Sequence, residues 1–180
     1  MSQPTHQRMF FALWPSEPVR RALWQASGRL HEVWSGRRTK PDTLHLTLVF
    51  LGDVELARLD ELRAVAAQTD TRRFSLVLDH ASCWRHNKVG FLSPRESPPE
   101  LLQLVYGLED DLEAAGFAFD ERPYKPHITL LRNTRCTTQV TLEPIRWDIE
   151  EFVLAGSSIT DHGPSYRLLG RWPLKRRTDV

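Results

Sequence analysis

Two short stretches decide how this chain is read: Leu44-His45-Leu46-Thr47-Leu48 and Pro126-His127-Ile128-Thr129-Leu130. Both follow the pattern His-apolar-Thr-Leu. A Lys-Pro pair precedes each, Lys40-Pro41 in the first and Lys125-Pro126 in the second. The histidines stand 82 positions apart in a chain of 180, close to half its length. A unit repeated at that spacing points to a fold of two similar lobes. On a strand, residues two apart share a face. His45 and Thr47 therefore project together, while Leu44, Leu46, Leu48 and Phe50 turn toward a core. His127 and Thr129 do the same against Ile128 and Leu130. One His-x-Thr means little, because Thr is a common strand former. Two such polar pairs on otherwise apolar strands are a local inconsistency of the kind that marks function.

Working outward, Arg8 to Leu13 reads as a first strand, closed by Trp14-Pro15. Ser16 is placed as an N-cap, followed by Glu17 and an early proline, Pro18. Val19, Leu23, Ala26, Leu30 and Val33 recur at three- and four-residue steps, which predicts an amphipathic helix. Thr43 to Leu51 is the most strand-like stretch and is expected to end at Gly52-Asp53. Val54 to Thr69 is expected to be a helix. Phe74 to Asp79 and Val89 to Leu92 read as strands. The polar stretch Ser82 to Lys88 (SCWRHNK) reads as a groove-rim loop or a hairpin turn. Pro94 to Pro99 (PRESPP) is the expected crossing between halves, leading into a helix over Pro98 to Ala115 that Gly116 stops. Phe117 to Phe119 is expected to be a short strand and His127 to Leu131 a longer one. Ile149 to Ile159 and Tyr166 to Pro173 are expected to pair as a hairpin. The charged tail Lys175 to Val180 is expected to fray. Strands and helices do not alternate regularly, so the fold class is α+β with largely antiparallel sheets, in one domain spanning residues 1–180.

Composition removes several function classes. Hydrophobic residues are 41% and charged residues 26%, ordinary for a folded soluble protein. The formal net charge of +1 argues against a polyanion binder that works by bulk electrostatics, though not against a local basic pocket. Of the 24 basic residues only four are lysine, Lys40, Lys88, Lys125 and Lys175. This arginine excess reads either as compositional bias or as guanidinium forks that grip phosphate. The two cysteines, Cys83 and Cys136, form no CxxC pair, and both are expected to be reduced buried thiols. The apolar patch Met9 to Trp14 is too short for a signal peptide, and no run approaches a membrane span, so a cytoplasmic location is expected.

Two histidines facing each other across a cleft form an acid/base pair, since imidazole titrates near ~6.5. This suits displacement at phosphorus: one ring takes a proton from water and the other protonates the leaving oxygen. The Thr47 and Thr129 hydroxyls are placed to donate to non-bridging oxygens. Arg132, five residues after His127, is a candidate for the same phosphate. Strict alternation puts it on the face opposite His127, so it must sit at a bend or strand end to reach the site. No metal or cofactor is required by this chemistry. Zinc is the metal alternative, but His-x-Thr offers no third paired ligand.

These residues resemble the 2H phosphoesterases, named for two His-x-Thr/Ser motifs, and within them the RNA 2′,3′-cyclic phosphodiesterase branch, also called the 2′-5′ RNA ligase family (LigT/ThpR-like). The resemblance is carried by Arg8-Met9-Phe10-Phe11-Ala12-Leu13, by Leu44 to Gly52 (LHLTLVFLG), by Lys125 to Arg132 (KPHITLLR), and by the ending Tyr166 to Leu174 (YRLLGRWPL). It implies a bilobal fold with pseudo-twofold symmetry, two antiparallel sheets lining a central groove and helices outside. The implied activity is metal-free hydrolysis of a 2′,3′-cyclic phosphate at an RNA end to a 2′-phosphate, with 2′-5′ joining of RNA ends as the related reaction. By this analogy His45 is the acid on the 3′ oxygen, His127 the base on water, and Thr47, Thr129 and Arg132 bind the phosphate. Phe10 or Phe11 is expected to stack on the terminal base; adjacent strand residues face opposite ways, so at most one lines the groove. Where the family often has Glu-Ser before the last hairpin, this chain has Gly156-Ser157-Ser158. The implied partner is an RNA end or nucleotide with a 2′,3′-cyclic phosphate, and the chain is expected to be a monomer. The alternatives are a 2H phosphodiesterase for 2′-5′ oligonucleotides or ADP-ribose cyclic phosphate, and a non-catalytic RNA-binding module.

Overall fold

Local sequence places the elements that frame the groove. A computed structural model of the protein describes residues 5–176. Its first strand, β1 (His6–Leu13), runs into Trp14-Pro15 and then helix α1 (Glu17–Trp34), with Ser16 at the N-cap position and Pro18 in the first turn. Leu23, Ala26, Leu30 and Trp34 form the buried stripe of α1. A sharp turn at Ser35-Gly36 leads to a two-residue strand, β2 (Arg37–Arg38). After a 3₁₀ turn at Pro41–Thr43 comes β3 (Leu46–Glu55), then a second 3₁₀ turn and α2 (Leu59–Ala67). Strands β4 (Phe74–Leu78), β5 (His80–Trp84) and β6 (Val89–Ser93) follow, and then α3 (Pro99–Ala114). The chain closes with β7 (Ile128–Arg132), β8 (Ile145–Ile149), β9 (Glu151–Thr160) and β10 (Gly163–Pro173).

The first sheet has the order β10-β9-β1-β3, the second β2-β7-β6-β5, and β4 pairs with β8 in a two-stranded ribbon. Every named strand pair is antiparallel. The α+β class is therefore as the sequence predicts. The lobes interleave along the chain: the first sheet draws on both ends, and the second on the middle. Helix α1 leaves the first sheet and packs on β7, β8 and β2 of the other layer, while α3 and α2 pack on β3 and β10. Residues 94–98 carry the chain from β6 to α3, so they do cross between lobes. One apolar cluster runs through both layers, from Met9, Leu46 and Leu48 to Ile128, Leu130 and Leu131, and includes the fully buried Leu101, Leu104, Val105, Leu108 and Leu112 of α3. Burying each such side chain stabilises the fold by roughly 1.5–3 kcal/mol.

Several expectations are corrected. Gly52 does not end the strand: at φ +72° it turns within β3, and pairing continues to His6 opposite Glu55. The helix expected from Val54 thus starts at Leu59. Phe117 to Phe119 is not a strand; Phe117 is buried beneath the Arg58 guanidinium. Strands β2 and β8 were not anticipated, being too short or too polar to show a period. Ser82 to Lys88 divides into the end of β5 and a turn. Cys83 and Cys136 are not separate thiols but a disulfide, since β5 and the segment after β7 bring their Cα atoms to 6.2 Å. Of the tail, Lys175 is held by backbone bonds to Thr71 and Arg73, and residues 177–180 lie outside the described residues. No helix among the described residues is long and apolar enough to cross a membrane.

Candidate functional site

Each motif strand starts just after its histidine and carries the same irregularity. In β3, Thr47 pairs with Ala12 and Val49 with Phe11, so Leu48 is an extra residue. In β7, Thr129 pairs with Phe91 and Leu131 with Gly90, so Leu130 is the extra residue. A bulge at the fourth motif position shifts the alternation by one. Leu48 and Val49 are both buried, as are Leu130 and Leu131. Phe50 and Arg132 then return to the face that carries the histidine and threonine. This is how Arg132 reaches the groove, where strict alternation would turn it away.

The histidines are held alike. Nδ1 of His45 donates to the Thr43 carbonyl at 2.7 Å, and Nδ1 of His127 donates to the Lys125 carbonyl at 2.8 Å. A carbonyl only accepts, so Nδ1 carries the hydrogen and Nε2 of the neutral ring keeps its lone pair. The Lys-Pro pairs build these anchors. Pro41 opens the 3₁₀ turn that ends at Thr43, which is fixed by its amide (3.0 Å) and hydroxyl (2.9 Å) on the Lys40 carbonyl. In the second lobe the anchor is the Lys125 carbonyl itself. The Tyr124 hydroxyl donates to the Thr47 carbonyl at 3.2 Å and ties the two motifs together.

Aromatic rings wall both histidines. His45 stacks on Trp14 (5.3 Å between centroids, 7° between planes), lies 4.8 Å from Phe10, and meets Tyr166 edge-on at 5.2 Å. His127 meets Trp84 at 4.5 Å and Phe91 at 5.8 Å, both edge-on. Burial is the largest influence on both, and it opposes the charged form. It pushes His45 down to about 4, with His127 and Arg132 adding to the fall and the Thr43 carbonyl acting against it. His127 is also lowered, by burial first and by Arg132, against its bond to Lys125. Neither ring is sealed: each keeps part of its surface open to the groove. The positive charge of Arg132 acts on both histidines and on Tyr166.

The structure thus brings together His45, Thr47, His127, Thr129 and Arg132. It separates the two phenylalanines. Phe10 lies on the groove face but is only 4% exposed and packs under His45. Phe11 points the other way, is fully buried, and packs on Phe152 and Trp172. Phe11 is therefore not a groove residue, and Phe10 is a support for His45 with almost no free ring. Trp14, Tyr166, Trp84 and Phe91 were not singled out as site residues. Trp84, an indole within an otherwise polar turn sequence, was the one visible signal. A cavity of about 290 Å³ opens beside His127, walled by Trp84, Phe91, Tyr124 and Lys125 among others. A larger one, about 440 Å³, lies between α1 and residues 142–146 and touches neither motif. The histidine pair, not cavity size, locates the chemistry. Among the described residues no group of three or more His, Cys, Asp or Glu side chains is arranged to hold a metal.

Two matched His-x-Thr strands facing one groove define a 2H-type phosphoesterase fold. Sequence and structure comparisons agree. The family pattern of the 2′-5′ RNA ligase superfamily matches residues 18–158. The chain is 36% identical to the RNA 2′,3′-cyclic phosphodiesterase of Escherichia coli strain K12, over 97% of this chain and 99% of the other. It is 28% identical to the protein of that name from Thermus thermophilus, over 93% and 90%. Among solved structures, Escherichia coli LigT without ligand superposes with a TM-score of 0.82 at 34% identity, covering 96% of this chain and 99% of that one. LigT complexed with 3′-AMP superposes with a TM-score of 0.83 at 33% identity, covering 94% and 98%. The chain belongs to the 2′-5′ RNA ligase superfamily.

Proposed function

We propose that the protein hydrolyses a terminal 2′,3′-cyclic phosphate of RNA to a 2′-phosphate. The observation that carries this is the matched pair of histidines: each is held at Nδ1 by the carbonyl two residues earlier, on equally bulged strands, with Arg132 on the same face as His127. His127, neutral near pH 7, takes a proton from water at Nε2. The water oxygen bonds to phosphorus as the P–O3′ bond breaks, and His45 gives the 3′ oxygen a proton from its Nε2. Thr47 and Thr129 donate to non-bridging oxygens, and the Arg132 fork balances the charge that builds on them. Because burial makes His45 reluctant to hold a proton, it loads when the phosphate anion occupies the groove and offsets Arg132. Joining follows the same path when a ribose 5′-hydroxyl replaces water.

The terminal base then falls to Tyr166 or Trp14, which are half-buried, rather than to Phe10. The site works without metal, in a monomer of one two-lobed domain, in the cytoplasm; the relatives named as RNA 2′,3′-cyclic phosphodiesterases support the substrate class. The test is turnover of a 2′,3′-cyclic mononucleotide by the wild type and by His45→Ala and His127→Ala, with and without EDTA. The wild type is expected to be active in both conditions and the variants inactive in both. Activity lost to EDTA alone would point to a metal enzyme instead.

A further inference from the structure

Arginine is abundant in this chain, and much of it is occupied. Nine arginines lie within 4.0 Å of a carboxylate. Arg37 and Arg132 make no ion pair among the described residues, although they are direct cross-strand partners in the β2–β7 ladder. Like charges placed opposite each other on a sheet destabilise it, typically by a few tenths to about 1 kcal/mol. Among the described residues no carboxylate lies within 4.0 Å of either, and both side chains are exposed.

The direction of Arg37 follows from its neighbour. Arg38 turns to the helix side: its Nε donates to the Ser27 hydroxyl at 2.9 Å, its Nη2 donates to the Trp24 carbonyl, and its guanidinium covers the Trp24 ring at 3.3 Å. Its ladder partner, Leu131, is buried on that side. Strand alternation then turns Arg37 the other way, onto the face of Arg132. The backbone there is tightly fixed. Gly36 has φ +97°, and a Cβ on it would stand 2.7 Å from the Arg132 carbonyl oxygen. The buried Thr134 hydroxyl donates to the carbonyls of Trp34 (2.9 Å) and Ser35 (3.1 Å). A cation is thus held beside the phosphate-binding arginine by glycine geometry, hydroxyl bonds and the anchored Arg38. The same row of the sheet continues through Val89 to Trp84, and the turn beyond it carries Arg85 and Lys88. In a protein of net charge +1, this end of the groove is locally basic.

We propose that Arg37 binds the phosphodiester next to the reacting phosphate, on the 5′ side of the terminal nucleoside, and so makes the enzyme favour an RNA chain end over a mononucleotide. This rests on the phosphodiesterase reading above. Arg132 neutralises the reacting phosphate, and Arg37, one strand further out, meets the next one along the chain. With one phosphate on each arginine, the like-charge contact that the free protein tolerates is relieved.

The test compares a 2′,3′-cyclic mononucleotide with a short oligoribonucleotide ending in the same cyclic nucleotide, for the wild type, Arg37→Gln and Arg37→Lys, at several KCl concentrations. The wild type is expected to prefer the oligonucleotide. In Arg37→Gln the oligonucleotide-to-mononucleotide ratio of kcat/KM falls about tenfold, mainly through KM, as loss of a charge-assisted bond implies. The salt slope of log kcat/KM for the oligonucleotide becomes shallower by about 0.7, the value for one phosphate contact to a single strand. Arg37→Lys restores part of both, and also serves if the glutamine variant melts early. An unchanged ratio, or an equal loss of kcat on both substrates, overturns the proposal. A wild type active on both substrates without preference overturns it alone. A wild type active on neither overturns the phosphodiesterase reading as well.

Discussion

Three residues after Thr47 the chain places Phe50; three residues after Thr129 it places Arg132. Both positions face the groove because Leu48 and Leu130 are bulged. Around them the backbones of the two motif strands correspond closely, down to a histidine Nδ1 bonded to the carbonyl two residues earlier. The side chains do not correspond. His45 is enclosed by Phe10, Trp14 and Tyr166, while His127 touches Trp84 and Phe91 beside an open cavity. A duplicated frame thus places two identical rings, and their unequal surroundings let one hold a proton less readily than the other. Acid/base work across a phosphorus centre needs one ring protonated and the other neutral; burial favours the neutral form of both rings, so in the proposed mechanism His45 takes up its proton with the bound phosphate anion.

Removing either ring is the most damaging break in this symmetry. His45→Ala and His127→Ala should each lower kcat/KM about 10²–10⁴-fold, the range for loss of a general acid or base. If the pair acts as a unit, the double variant is little worse than either single one. Losses that multiply would show that the rings act independently.

The unequal burial of the rings can be read without substrate. His45 has a folded-state pKa of about 4, below its ordinary 6.5. The unfolded chain therefore binds the proton more tightly, and the stability tied to His45 is present above pH 6.5 and lost as the pH falls toward 4. The loss amounts to as much as about 3 kcal/mol at pH 4. His45→Asn should remove that slope, so near pH 4–5 the variant loses less stability than the wild type and its acid-unfolding midpoint lies at a lower pH. Equal slopes in the two proteins would mean that His45 titrates as if in water.

A smaller effect comes from making the second strand resemble the first. Arg132→Phe should lower kcat/KM about 10- to 100-fold, the loss expected for a charge-assisted bond to phosphate. It should also raise the pKa values of both histidines, since the Arg132 charge lowers each. Histidine NMR titration measures this directly.

Much of this site is legible in the sequence, for a definite reason. His45, Thr47, His127 and Thr129 stand out because polar residues interrupt apolar strands twice at matched positions, and local order alone reveals that. The helix stripes of α1 and α3 are legible for the same reason, being periodic over three or more turns. The remaining features depend on partners distant in the chain. The bulges that redirect Arg132 exist only against Phe91 and Gly90, and those that redirect Phe50 only against β1. Phe10 and Phe11 are equivalent as letters, and only the pairing of β1 with β3 and β9 sends one under His45 and the other into the core. Cys83 and Cys136 stand 53 residues apart without a spacing motif, so their meeting appears only once β5 and the segment after β7 are placed. Trp14 and Tyr166 become walls of one ring through the sheet order β10-β9-β1-β3.

The most direct test of the proposed hydrolysis is the position of the phosphate in the product. A 2′,3′-cyclic mononucleotide is hydrolysed to completion, and the product is assigned by ³¹P NMR against both authentic monophosphates. With His45 delivering its proton to the 3′ oxygen, only the 2′-phosphate should form. A 3′-phosphate, or a mixture of the two, would contradict the proposal that the 3′ oxygen is the leaving group.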